Sequence, residues 1–159
     1  MLPSKSITAS TATVITQLSL AIFISRRALV TGAGSGIGLA TAKLLMARGA
    51  QVAAVVQNQE QASLAKRQLP GAMVLVQDLL DSAACAALPG LAAQSLGGLD
   101  ALACCAGVFF KKSSDETSLE DWRQTLDLNL TATFVLTRSA IAQMRHIAGR
   151  AGSVVVISS

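Results

Sequence analysis

Between residues 31 and 38 the chain reads Thr-Gly-Ala-Gly-Ser-Gly-Ile-Gly, and glycines this dense do their chemistry through the backbone. Gly32 can make a tight turn, Gly36 lets the main chain approach a bound group, and Gly38 lets the following segment pack closely. With a strand before the run and a helix after it, the unpaired N–H groups of the first helical turn meet a pyrophosphate. Thr31, Ser35 and Ile37 fall inside the same turn. A loop that is glycine-rich only for flexibility has the same composition, and the flanking elements are what separate the two.

Four further places carry groups that could react or bind. Asp78, followed by Leu79, stands where an apolar run ends and is either a ligand contact or a turn residue. Asn129 sits inside a helical pattern, where its side chain competes with the backbone, so a local kink with a polar role is expected. Ser158 and Ser159 close the last apolar run and could be no more than a strand terminus. Cys85, Cys104 and Cys105 lie in apolar surroundings without the spacing of a zinc site or a disulfide framework. Buried, reduced thiols in a cytoplasmic protein are expected, and no metal site. Redox chemistry at Cys104-Cys105 would need a basic neighbour to lower a thiol pKa, and none is evident.

The elements that must position these groups alternate regularly. Strands are expected at Ala28–Thr31, Val52–Val56, Ala72–Val76, Leu99–Cys104 and Ser153–Ser158. Helices are expected at Gly36–Arg48, with Ile37, Ala40, Thr41, Leu44 and Ala47 at helical spacing and Gly49 as its C-terminal cap, and at Asn58–Leu69. A third, Ser82–Leu96, is expected to be interrupted at Pro89-Gly90. A long helix, capped by Ser118 and Asp121, is expected to run through Trp122, Leu126, Leu130, Phe134 and Ile141 to near Gly149. Strand–helix alternation with two-sided burial predicts an α/β fold of Rossmann type, a doubly wound parallel sheet with right-handed crossovers, ending after its fifth strand.

Composition agrees with one such domain over residues 26–159. The chain has 159 residues, 52% hydrophobic and 14% charged, with no tyrosine, which gives a core of Ala, Val, Leu and Ile as in sheets covered on both faces. Thirteen basic and nine acidic residues, a formal charge of +4, are scattered without a basic stripe, so nucleic acid is not an expected partner. The doublets Arg26-Arg27, Lys66-Arg67 and Lys111-Lys112 are expected to be solvated surface charge. Residues 1–25 are Ser/Thr-rich and then apolar, but the run lacks a cleavage site and is too short to span a bilayer. A disordered or loosely docked leader is expected, and no membrane association.

The spacing of the glycine turn is specific. Thr31, Gly32, Gly36 and Gly38 resemble the Thr-Gly-x-x-x-Gly-x-Gly turn of the short-chain dehydrogenase/reductase family, and four more segments follow in that family's order. Asp78-Leu79 resembles the acidic contact to the adenine ring, and Cys104-Cys105-Ala106-Gly107 takes the place of Asn-Asn-Ala-Gly. The segment Leu126–Leu130 resembles the one carrying the family's catalytic Asn, which maps to Asn129, and Ile157-Ser158-Ser159 the strand end whose second Ser, here Ser159, is catalytic. The likeness covers about residues 23–159. It implies an NAD(P)-dependent oxidoreductase that interconverts an alcohol and a ketone or aldehyde, full-length as a homo-oligomer, with this chain as its cofactor-binding N-terminal portion. Ser159 would steady the substrate oxygen and Asn129 would hold a water in a proton relay. The proton itself passes through a Tyr whose pKa, near 10 when free, is lowered by a Lys. That Tyr-x-x-x-Lys pair is absent here, so the chain alone is expected to be inactive and poorly stable. Replacing both Asn residues by Cys104 and Cys105 puts in doubt the hydrogen bonds that brace the turn in the family. Val56, Gln57 and Asn58 stand where the ribose is read and offer no charge, and Ser35 occupies a position often basic in NADP-preferring relatives, which tilts the expectation slightly to NAD. A non-catalytic nucleotide-binding protein and a reductase of 3-oxoacyl chains on acyl carrier protein are the alternatives.

Overall fold

A computed structural model of the chain describes residues 25–145 and 151–158. The expected leader, apart from its last residue, and Ser159 lie outside the described residues. The apolar runs form five strands, β1 (Arg27–Thr31), β2 (Gln51–Val56), β3 (Met73–Val76), β4 (Ala101–Cys104) and β5 (Ser153–Val156). They make one parallel sheet in the order β3-β2-β1-β4-β5. The order reverses at β1, so a crevice opens between the connections that leave β1 and β4 on opposite faces.

Both faces of the sheet are covered, as the run of apolar residues in each central strand requires. Side chains alternate across a strand: Leu29, Ala53, Val55, Leu102 and Cys104 enter one core, and Ala28, Val30, Val52 and Ala54 the other. Helices α1 (Gly36–Ala47) and α2 (Gln59–Gln68) close the second face, and α3 (Ser82–Leu96) and α5 (Ala132–Met144) the first. Leu29, Leu102 and Leu136 are at most 1% exposed, and burying a side chain of this kind contributes roughly 1.5–3 kcal/mol.

Two expectations about the helices are corrected, and the packed faces are added to them. Helix α3 runs through Pro89 without a break. The ring is fully buried, and Gly90 beside it leaves room for Gln143 of α5, so packing outweighs the local cost of the missing N–H. The long helix after Ser118 is in fact three pieces: α4 (Leu119–Leu126), a π turn over Asp127–Thr131, and α5. The capping box of Ser118 and Asp121 is present, whereas the expected end near Gly149 lies outside the described residues. Finally, the fully buried residues of α1 are small, whereas α5 packs small and large residues together. Helix α1 buries Gly38 and Ala42 and leaves Ile37 and Leu44 more than half exposed, and α5 buries Ala132, Leu136, Ala140 and Met144 while Phe134 faces outward.

At the N-terminal edge of the sheet Arg27 is not the solvated charge expected. Asp100, with its side chain only 1% exposed, accepts hydrogen bonds from Arg27 Nε at 2.7 Å, Nη2 at 3.0 Å and the backbone N–H at 2.9 Å. Arg27 also donates to the Gly97 carbonyl. The pair ties β1 to the start of β4, at the end of the sheet away from the glycine turn.

Candidate dinucleotide site

The glycine run lies between β1 and α1, the context that gives it a mechanism. Gly32 has φ +65°, and a Cβ there would be 2.9 Å from the Ala106 backbone. A Cβ on Gly38 would be 2.6 Å from the Gly32 carbonyl carbon and 2.8 Å from the Thr31 oxygen. The two positions are therefore glycine because two backbones, and a helix and a turn, meet at contact distance. Ser35 takes the extended N-cap conformation of α1, yet its side chain makes no capping hydrogen bond and the first turn holds no acidic residue. The N–H groups at the start of α1 remain available to an anion.

Thr31 works beneath the turn. Its buried Oγ1 accepts the N–H of Cys105 at 3.1 Å and of Ala106 at 3.2 Å. The loop after β4 is thus braced from β1 by a hydroxyl, and Cys104-Cys105 need supply no amide for that purpose. Successive side chains point to opposite faces, Cys104 into one core and Cys105 towards the other. Burial pushes the Cys85 and Cys104 thiols up to about 11 and raises Cys105 as well. All three stay protonated near neutral pH, where a thiol is a poor nucleophile. We expect iodoacetamide at pH 7.5 to modify no more than Cys105 in the folded chain and all three thiols after denaturation, as read by mass spectrometry. Rapid native modification of Cys85 or Cys104 would contradict this.

A cleft of about 440 Å³ opens along the C-terminal ends of the strands. Of the residues singled out in the sequence, Gly32, Ser35, Gly36, Ile37 and Gly38 line it from the turn, Asp78 and Leu79 from the end of β3, and Ala106 and Gly107 from the end of β4. Asp78 also holds a turn, accepting the Leu80 N–H at 3.1 Å, which is the turn role considered for it. Gln61 and Gln77 line the cleft too, although the sequence reading passed over both. For Gln61 a signal existed, since Asn58-x-x-Gln61 has the spacing of a helix N-terminal box.

Asn129 lies in the π turn, a local departure from the α-helical hydrogen-bond pattern at the place where a kink is expected. Its amide is spent on one residue: Oδ1 accepts the Val108 N–H at 2.9 Å and Nδ2 donates to the Val108 carbonyl at 2.8 Å. The side chain thereby fixes the loop that follows Gly107. Among the described residues no group of three or more His, Cys, Asp or Glu could hold a metal ion. No described helix is long and apolar enough to cross a membrane.

The arrangement is therefore a glycine turn and an uncapped helix N-terminus facing one cleft at the switch point of a parallel sheet. The family model for short chain dehydrogenases matches residues 26–159. The chain belongs to the short-chain dehydrogenase family. Its likeness to D-threitol dehydrogenase of Mycolicibacterium smegmatis is 37% identity over 136 residues, covering 83% of this chain and 52% of that protein. To 2,3-dihydro-2,3-dihydroxybenzoate dehydrogenase of Escherichia coli it is 34% over 137 residues, covering 86% and 52%. A crystal structure of a short chain dehydrogenase from Burkholderia cenocepacia in complex with NADP superposes with TM-score 0.72 at 34% identity, covering 77% of this chain and 52% of that one. The chain thus spans about half the length of these short-chain dehydrogenases.

Proposed function

We propose that this chain forms the dinucleotide-binding part of an NAD(P)-dependent oxidoreductase that interconverts an alcohol and a ketone or aldehyde. The observation that carries the reading is the uncapped N-terminus of α1 behind Gly32 and Gly36, facing the cleft at the switch point of the sheet. A nicotinamide dinucleotide, when bound, supplies or accepts the hydride. The N–H groups at the start of α1 hold its pyrophosphate, and Asp78 with Leu79 holds the adenine at the end of β3. Ala106 and Gly107 border the path to the nicotinamide end, and Thr31 braces the loop there through the N–H groups of Cys105 and Ala106.

Asn129 acts here as a positioning residue, because both polar atoms of its amide are engaged by Val108. Ser159, outside the described residues, is the group we assign to the substrate oxygen. The relatives named for D-threitol and for 2,3-dihydro-2,3-dihydroxybenzoate make small hydroxylated molecules the substrate class to try first, and nothing favours a 3-oxoacyl thioester over them. The outward face of α5, with Phe134 and Ile141 exposed, supports a homo-oligomeric full-length protein.

A second reading, binding without turnover, is favoured for the 159-residue chain by its lack of tyrosine, since no phenol is present to pass the proton. Isothermal titration of the purified chain with NADH and NADPH is expected to show saturable one-to-one binding. With D-threitol and either oxidised cofactor, no rise in absorbance at the reduced nicotinamide band is expected. Absence of binding would remove the dinucleotide reading, and measurable turnover would remove the dependence on tyrosine.

A further inference from the structure

One side chain on the rim of the cleft has no part in the function proposed above. Gln61, in the first turn of α2, folds back towards the glycine turn. Its Oε1 accepts the Gln57 N–H at 3.0 Å, and its own backbone N–H donates to Asn58 Oδ1 at 2.9 Å. The path is open because residue 34 is glycine: a Cβ there would stand 3.1 Å from Gln61 Oε1 and 3.4 Å from Cδ. The turn and the amide therefore fit each other.

The Gln57 bond also fixes which way the amide faces. A backbone N–H needs an acceptor, so the oxygen is turned to Gln57 and the NH2 group, with two donors, is directed elsewhere. Gln57, Gln61 and Gln77 line this part of the cleft, all neutral, and Asp78 is the one carboxylate on the lining. In folds of this type the end of β2 faces the adenosine ribose. An acidic residue there accepts from the 2′-hydroxyl and repels a 2′-phosphate, while an arginine favours the phosphate. A neutral donor does neither, since hydroxyl and phosphate oxygens both accept from N–H.

We infer that Gln61 reads the 2′ position of the adenosine ribose, donating from its fixed amide to a 2′-hydroxyl or a 2′-phosphate alike. The inference rests on the dinucleotide reading, and it assigns the tolerance of the site to one residue of α2 rather than to the uncharged end of β2 alone. Gly34 gives it room, because a Cβ there would crowd the amide at 3.1 Å and require it to give way by a few tenths of an ångström.

The test uses the 159-residue chain and two variants, titrated with NADH and NADPH by nicotinamide fluorescence. Gln61→Glu keeps an oxygen for the Gln57 N–H and exchanges the donor group for a negatively charged acceptor. Gln61→Met removes both amide atoms. The unaltered chain is expected to bind the two cofactors within about tenfold of each other. Gln61→Glu should weaken NADPH at least about tenfold and NADH less than about threefold, and Gln61→Met should weaken both by roughly two- to fivefold. Melting curves check that the variants are folded. An NADPH-to-NADH ratio unmoved by Gln61→Glu, or a preference above about a hundredfold in the unaltered chain, overturns the inference while leaving the dinucleotide reading intact. Failure of the unaltered chain to bind either cofactor overturns both.

Discussion

Gly38→Ala is expected to abolish measurable dinucleotide binding, a loss of at least about a hundredfold or roughly 2.7 kcal/mol. The added methyl would be 2.6 Å from the Gly32 carbonyl carbon and 2.8 Å from the Thr31 oxygen. Neither neighbour is a flexible side chain that can step aside. Relief requires α1 to move off the end of β1, which takes its N-terminal N–H groups away from the pyrophosphate position. Overpacking of this kind also costs about 1–3 kcal/mol of stability. Gly36→Ala separates the two effects. Residue 36 has φ +50° but nothing within 4 Å of a Cβ, so the fold loses only about 1–2 kcal/mol for the left-handed conformation. Binding should still fall, because the methyl would occupy space on the cleft lining. Calorimetric titration with NADH and thermal melts of both variants check the pair. Binding by Gly38→Ala at the unaltered strength would show that the close approach is not what shapes the site.

Arg27→Leu is expected to be the most damaging single change to stability, costing about 3–5 kcal/mol. It removes the bonds of 2.7 and 3.0 Å from the guanidinium and leaves the Asp100 carboxylate, 1% exposed, facing Arg26 at 3.9 Å instead of the closer guanidinium. A loss of that size is a large share of the 5–15 kcal/mol that typically holds a domain together. Adding Asp100→Leu should recover more than half of it, because an apolar pair needs no compensating charge. Recovery is not complete, since the Arg27 N–H also donates to that carboxylate at 2.9 Å. Urea unfolding of the two single variants and the double variant measures this. Equal stability of Arg27→Leu and the unaltered chain would mean that the pair holds nothing.

Much of the site was legible before any fold was seen. The glycine turn, Asp78 and the Ala106-Gly107 step all line one cleft, because each belongs to a strand end and the alternation of elements brings strand ends together at one edge of a parallel sheet. A local irregularity at Asn129 was legible as well, from the conflict between an Asn side chain and a helical backbone, and it takes the form of a π turn. Its partner was not. Val108 is 21 residues away along the chain, and no local pattern reports such a bond. Thr31 was recognised as part of the turn, but its role as acceptor for two N–H groups of the β4 loop follows only from β1 and β4 being neighbours. Arg27 is the same case, a charge that looks solvated until Asp100 is placed beside it.

The sequence by itself determined the kind of protein this is, because a short-range code governs it. Strand period, helix caps and the need for glycine where backbones touch are written within a few residues of each position. Which face of each helix packs was decided by the tertiary structure. Ile37 and Leu44 in α1, and Phe134 in α5, carry the helical spacing of a core stripe yet lie outward, while Gly38 and Ala42, and Ala132, Leu136, Ala140 and Met144, are buried. The physical reason is distance. The glycine turn draws the start of α1 so close that a Cβ on Gly38 would meet the Gly32 and Thr31 backbone, and Gly90 of α3 leaves room for Gln143 of α5. Hydrophobicity marked both faces as apolar, and steric fit between elements far apart in the chain chose between them.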